Sequence, residues 1–326
     1  MFEFWGWMLL VVHPTPEIAR AGAHLFTPRG TTLADFGGGW GGGGASSVGR
    51  NPANGATVHY RLSAAPDSST TVSLAFLDAR GTVLRTYSTK SAAGPARLAP
   101  KAGLNAFTWD LRRDAPTSLQ GVVLFGAPSG GGAKVPPGRY TVKLTVGNVT
   151  QSASFDVAQD PRLEPIPAAV IAERDSLANL LSQRIAEIND AVLRVRDVKT
   201  QVTGIVSRTK EIPLADSIAA SGRALTARAD QLDPAMTTKA GNGQDIINYA
   251  NGINGQFGFL LGQIEGHPGL TQPVRERLAE LEKMWAALKA DVTKFETVEV
   301  EAFNDLLKRA GVGGVLTPAK KPKIVM

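Results

Sequence analysis

The chain has 326 residues, 43% hydrophobic and 20% charged, which is the composition of a soluble globular protein with room for two domains. Basic residues number 35 against 29 acidic ones, a net charge of +6, and part of the excess sits in Lys320-Lys321-Pro322-Lys323. That distribution argues for a solubilising basic tail over 311–326 and against a nucleic-acid partner, and the absence of cysteine excludes disulfide scaffolds, thiolate metal sites and cysteine nucleophiles.

Residues 1–50 read as an apolar N-terminus followed by a flexible, glycine-rich arm. The stretch Phe4 to Val12 is apolar but shorter than the ~20 residues a bilayer span needs, so no stable membrane span is expected. It fits the apolar core of a signal peptide with Ala21-Gly22-Ala23 as a small-residue cleavage site. A buried remnant strand and a mis-called start fit it as well, since Glu3 precedes it and no Lys or Arg does. The run GGGWGGGG (37–44) lacks the preceding strand, following helix and Lys of a phosphate-binding loop, and reads as a linker.

From Asn51 the hydrophobic period becomes two, which predicts a β domain over 51–160. Expected strands are Val58 to Leu62, Thr71 to Leu77, Val83 to Ser88, Leu104 to Leu111, a short one over Gly121 to Gly126, Tyr140 to Val146, and Val149 to Val157. Asp78-Ala79-Arg80-Gly81 is a turn between the second and third, and Gly147-Asn148 a two-residue hairpin turn between the last two. About seven short strands with turn signals every 8–12 residues is the pattern of an immunoglobulin-like antiparallel β-sandwich. Within Leu104–Leu111, Phe107, Trp109 and Leu111 fall on the core side and Asp110 on the opposite face.

At Asp160-Pro161 the period becomes helical, and 161–310 is expected to be an antiparallel four-helix bundle, making the whole an α+β multidomain chain. Helices are predicted at about 168–209, 213–232, 244–265 and 272–309. Inward positions are Leu177, Leu181, Ile185, Ile188, Val192 and Val195 in the first. The second offers Leu214, Ile218, Leu225 and Leu232, and the third Ile246, Ala250, Ile253, Phe257, Leu260 and Ile264. The fourth repeats the spacing with Val274, Leu278, Leu281, Trp285, Leu288, Val292 and Phe295. Glycines 252, 255, 258 and 262 in the third helix each cost up to about 1 kcal/mol relative to Ala. Close backbone approach to a neighbouring helix is the expected gain; a cofactor channel is the alternative, though no ligand-type residues accompany it.

Catalytic signals are sparse. His13, His24, His59 and His267 lie in separate segments without zinc-site spacing, and there is no G-x-S-x-G elbow. Glu187 and Asp190 stand one turn apart on a charged helix face with Arg174, Arg184, Arg194 and Lys199, and read as having a solvated salt-bridge role. No metal and no cofactor is expected. Asp110, beside Trp109 at a strand end, is the best single carboxylate for glycoside hydrolysis, which needs a pair. A local ion pair with Arg112 or Arg113, or a turn-starting role, explains it more simply. A Trp-Asp propeller blade is excluded because no second Trp-Asp recurs at 40–45 residues.

The segments AHLFTPR (Ala23–Arg29), NPANGA (Asn51–Ala56), LDARGTVLRT (Leu77–Thr86), KAGLNAFTWDLR (Lys101–Arg112), VVLFGAP (Val122–Pro128), VPPGRYTVKLTV (Val135–Val146), QDPRL (Gln159–Leu163) and INDAVLRVRDVK (Ile188–Lys199) occur in this order. Together they resemble the C-terminal region of bacterial exported proteins that carry sortilin-type, BNR-repeat propellers and are labelled glycosyl hydrolases or exo-sialidase-like. The likeness covers about residues 23–310. No Asp-box segment is present, so no catalytic residue of that family carries over. The resemblance implies an exported, non-catalytic accessory or interaction module whose partner is a protein, such as a separate BNR-type propeller, with carbohydrate as a further candidate ligand. The alternatives are a glycosyl hydrolase-related protein whose activity resides in a missing or separate propeller, and a structural fragment that docks onto one.

Overall fold

A computed structural model describes residues 15–34, 53–92, 94, 96–122, 124, 126–128, 131–238 and 252–317. The chain is α+β, with two sheets, one of them mixed, and several helices. It divides into two compact units: Met1–Asp114 with Gly130–Asp175, and Ala115–Ser129 with Ser176–Met326.

The first unit opens with a short helix, α1 (Pro16–Arg20), and then holds strands β1 (Ala23–Leu25), β2 (Thr31–Leu33), β3 (Ala56–Leu62), β4 (Val72–Leu77), β5 (Val83–Ser88), β6 (Gly103–Trp109), β7 (Gly138–Val146) and β8 (Val149–Gln159). They form a three-stranded sheet, β1-β3-β6, and a five-stranded sheet, β2-β8-β7-β4-β5. All pairs are antiparallel except β2 with β8. Strands β1 and β2 correct the expectation of a flexible arm for these residues. Three residues are too few to register a period of two, and their pairing with β3 and β8 is non-local.

The two-residue periodicity works as a burial code. In β3 every second residue from Ala56 to Leu62 is buried, and β4 alternates in the same way. The buried faces of both sheets meet in one apolar cluster that contains Val58, Leu74, Phe76, Trp109, Val142 and Phe155. Trp109 is fully buried and stacks on Phe76 at 4.5 Å between ring centroids. Burial of one such large side chain contributes about 3 kcal/mol. Both expected turns form: Asp78 accepts from the amides of Arg80 and Thr82 at 2.9 and 2.8 Å, and Gly81 supplies a φ of 80°. Gly147 does the same at φ 55° between β7 and β8. At the start of β7 the Tyr140 hydroxyl donates to the Pro136 carbonyl four residues back, at 2.6 Å.

Among the described residues of the expected strand Gly121–Gly126, none is part of either sheet. Gly121 and Gly126 both sit at φ 69°, which interrupts an extended run, and the segment belongs to the second unit.

The helices are α2 (Ala168–Arg208), α3 (Ala215–Met236), α4 (Ile253–Gly266), α5 (Gln272–Lys294) and α6 (Val300–Arg309), with a π-helical turn at Phe295–Glu299 between the last two. Expected inward positions are buried at Leu181, Ile185, Ile188, Val192, Ile218, Leu225, Phe257, Leu260, Leu281, Trp285 and Phe295. Leu214 is a correction: it adopts φ 66° ahead of α3 and is 45% exposed. Expected residues Ile246 and Ala250 lie outside the described residues, as do Phe4–Val12, the run 37–44 and Lys320–Lys323. The π turn inserts a residue into the inward row, so that Val300, Phe303 and Leu307 continue the buried face after Phe295.

Two glycines of α4, Gly258 and Gly262, do make room for a close neighbour, but that neighbour is not a helix. A side chain at Gly258 would come within 2.8 Å of the Ala127 Cβ, and one at Gly262 would run into the Gly126 carbonyl. The non-helical segment 126–128 therefore lies directly on α4, and Gly252 packs in the same manner on the backbone of Thr237. The charged row of α2 forms salt bridges, several of them to neighbouring helices. Arg184 reaches Glu282 on α5 at 2.8 Å, Arg194 reaches Glu296 in the π turn at 2.8 Å, and Lys199 reaches Asp230 on α3 at 2.6 Å.

Candidate functional site

Asp110 stands just past the end of β6, where Leu111 takes φ 57° and turns the chain. Both its carboxylate oxygens accept from Nη1 of Arg85 on β5, each at 3.1 Å, and Oδ1 also accepts from the Arg112 amide at 3.2 Å. Its partner is thus Arg85, a residue that sequence reasoning passed over, rather than the side chain of Arg112 or Arg113. The Arg85 side chain is only 6% exposed while that of Asp110 is 38% exposed. Arg85 lies over the Tyr87 ring at 4.9 Å, a cation–π contact in a desolvated setting. Burial, followed by the charge of Asp110, pushes the Tyr87 phenol well above its ordinary range.

The rest of this corner is built from main chain. Trp109 Nε1 donates to the Arg112 carbonyl at 2.8 Å, and Arg112 Nη1 donates to the Gly132 carbonyl at 3.0 Å. The Val135 amide donates to Leu111 O at 2.8 Å, and Arg113 N to Ala133 O at 3.0 Å. Arg113 continues outward to Asp175 at 2.9 Å. The carboxylate of Asp110 is therefore a clasp that neutralises a buried guanidinium and fixes the turn after β6.

The other expected residues do not converge on it. His24 packs edge-on against Phe26 at 4.7 Å, His59 lies on β3, and His267 ends α4; His13 is outside the described residues. Burial lowers the His24 and His59 pKa values. Among the described residues no group of three or more His, Cys, Asp and Glu is placed to hold a metal ion, and no helix is long and apolar enough to cross a membrane. Glu187 is pushed up by burial. Hydrogen bonds from Lys289 and from Trp285 Nε1, with the charges of Lys289 and Arg184, outweigh that and hold it below its ordinary value. Asp190 accepts from the Thr117 hydroxyl at 2.7 Å.

Two polar assemblies in the second unit carry residues that the periodicity could not reveal. In the first, Asn254 donates to Asn189 at 3.2 Å and Asn189 donates to the Thr117 carbonyl at 2.8 Å. Beside it, Arg196 forks onto Asp233 through Nε and Nη2, both at 2.9 Å, and Thr237 Oγ1 donates to the same carboxylate at 2.8 Å. In the second, two side-chain amides hold an extended piece of main chain. Asn304 Oδ1 accepts from the Val315 amide at 2.6 Å and its Nδ2 donates to the Val315 carbonyl at 3.1 Å. Gln201 repeats this on the next residue: Oε1 accepts from Leu316 N at 2.9 Å and Nε2 donates to Leu316 O at 2.7 Å. Gln201 also lines a groove of about 560 Å³ together with Ile205, Arg208, Thr209 and the main chain of Gly311–Gly314.

No protein-family model matches the chain, and no curated protein matches it.

Proposed function

We propose that this chain is a non-catalytic accessory module of an exported system, built as an immunoglobulin-like β-sandwich followed by a four-helix bundle, and that it acts by binding a protein partner. The sandwich reading is supported by the strand order, in which β1-β3-β6 faces β2-β8-β7-β4-β5 across one core. It is supported further by Tyr140, whose hydroxyl reaches back to Pro136 near the start of β7 as a tyrosine corner does. The bundle reading is supported by the buried rows of α2, α3, α4 and the α5–α6 run.

The observation that carries the functional reading is the commitment of Asp110. A general acid needs a proton to give and a nucleophile needs a free oxygen facing substrate. Asp110 instead spends both oxygens on Arg85 and one on the Arg112 amide. The resemblance to the post-propeller region of sortilin-type, BNR-repeat proteins supplies the partner class, a propeller domain.

The test has two arms. The full chain, assayed on a panel of aryl-glycosides, is expected to give no turnover; turnover that Asp110→Asn abolishes would overturn the non-catalytic reading. Calorimetric titration with an isolated Asp-box propeller domain of the sortilin type is expected to give saturable binding, and a flat titration at micromolar protein removes the propeller as partner.

A further inference from the structure

The pair Gln201 and Asn304 does more than tidy a chain end. A side-chain amide offers one acceptor and two donors in a plane, the same complement that a neighbouring strand offers to an extended residue. Here each amide pairs with both main-chain groups of one residue, Val315 for Asn304 and Leu316 for Gln201. Such pairing recognises an extended backbone irrespective of its side chains, as strand addition does.

Side-chain selectivity comes from the fit around it. Val315 is 3% exposed, so the position after the glycines takes an aliphatic residue in a closed site. Leu316 is 76% exposed, so its side chain is not read. A Cβ at Gly314 would stand 2.9 Å from Asn304 Oδ1, an atom that cannot swing aside without releasing the Val315 amide. The readout is therefore glycine, then a buried aliphatic residue, then any residue in extended form.

We propose that Gln201 and Asn304 form a peptide clamp for an extended, uncharged Gly-Val-type segment of a protein partner, and that Val315–Leu316 occupies it in cis as an exchangeable stand-in. The seated segment itself shows which chemistry fits. It rests on two carboxamides and one buried side chain, and it follows Gly311, Gly313 and Gly314, residues that have a wide range of backbone conformations open to them. A tether this short gives the stand-in a millimolar effective concentration, so the clamp is closed until a partner segment competes.

The probe is a fluorescein-labelled heptapeptide of residues 311–317 (GVGGVLT), titrated by anisotropy against the full-length protein. Wild type is expected to bind it weakly, because the cis segment holds the site. Val315→Asp, which cannot bury its charge, vacates the clamp and is expected to bind at least about tenfold more tightly. Adding Gln201→Ala and Asn304→Ala to that variant is expected to abolish the gain, and replacing the peptide glycine that corresponds to Gly314 by Ala to weaken it about tenfold. Equal binding by wild type and Val315→Asp, or binding that survives loss of both amides, overturns the proposal. Hydrogen exchange provides a measurement on the unmodified chain. Millimolar unlabelled peptide is expected to speed exchange of the Val315 and Leu316 amides by displacing them, and unchanged exchange counts against an exchangeable site.

Discussion

The two units each bury one member of an arginine–aspartate pair, and they bury opposite members. In the first unit the Arg85 side chain is 6% exposed and Asp110 38%; in the second Arg196 is 30% exposed and Asp233 11%. The geometry differs accordingly. Arg85 touches Asp110 through a single nitrogen and lies over the Tyr87 ring, whereas Arg196 meets Asp233 as a two-nitrogen fork. A buried ion is costly without its counter-ion, while an exposed one can be hydrated. The partner that matters most for stability is therefore the exposed one, and it changes sign between the units.

The largest expected effect is at Asp110. Asp110→Ala removes the carboxylate that neutralises a buried guanidinium and is expected to cost about 3 kcal/mol, the low end for a broken buried pair because the carboxylate side is half open to water. Arg85→Met leaves a carboxylate that water can reach and an apolar chain of similar length, and is expected to cost about 1 kcal/mol, much of it the lost contact with Tyr87. Urea unfolding of the two variants measures the difference; equal losses would mean that burial does not set the asymmetry. In the second unit the order reverses. Arg196→Met is expected to cost about 2 kcal/mol, moderated by the Thr237 hydroxyl that still donates to Asp233. Asp233→Asn is expected to cost about 1 kcal/mol, since it keeps an acceptor and removes the buried charge. A greater loss in Asp233→Asn than in Arg196→Met breaks the comparison.

These pairs also mark where the sequence ceases to be legible. Local periodicity announces β3, β4, β7 and β8, and the helical rows of α2 and α5 down to single residues such as Trp285, because each is decided within a few positions. The core-side placement of Trp109 and Leu111 follows from the same rule, and both are buried. Arg85 was invisible because its partner lies 25 residues away, and a lone arginine in a strand carries no sign that it faces inward. The Gln201 clamp closes across 115 residues and uses a residue type that is ordinary on a helix surface. The π turn hides for a different reason: it breaks the very spacing by which helices are recognised, so that spacing marks the inward row only as far as Phe295.

The smallest expected effect separates the units by pH. Burial lowers the pKa values of His24 and His59 in the first unit below 6.5, so on acidification the unfolded chain takes up protons before the folded unit does. Stability of that unit is then complete above about pH 7 and falls as the pH drops through 6.5. In the second unit the shifted carboxylate among the described residues is Glu187, whose lowered pKa contributes stability above 4.5 that is lost only as the pH falls below it, and the raised Arg184 stays charged throughout. The depressed carboxylates of the first unit, Glu17 and Asp67 (the latter at about 2) among them, likewise act only below about 4.5. Between pH 7 and pH 5 the β unit should therefore weaken while the helical unit does not. Hydrogen exchange of β3 and β4 peptides against α5 peptides, corrected for intrinsic rates, measures this directly. His24→Gln with His59→Gln should flatten the response of the β unit, because neither amide titrates. An unchanged slope in that double variant, or an equal fall in protection along α5, would place the acid sensitivity elsewhere than in these two half-buried imidazoles.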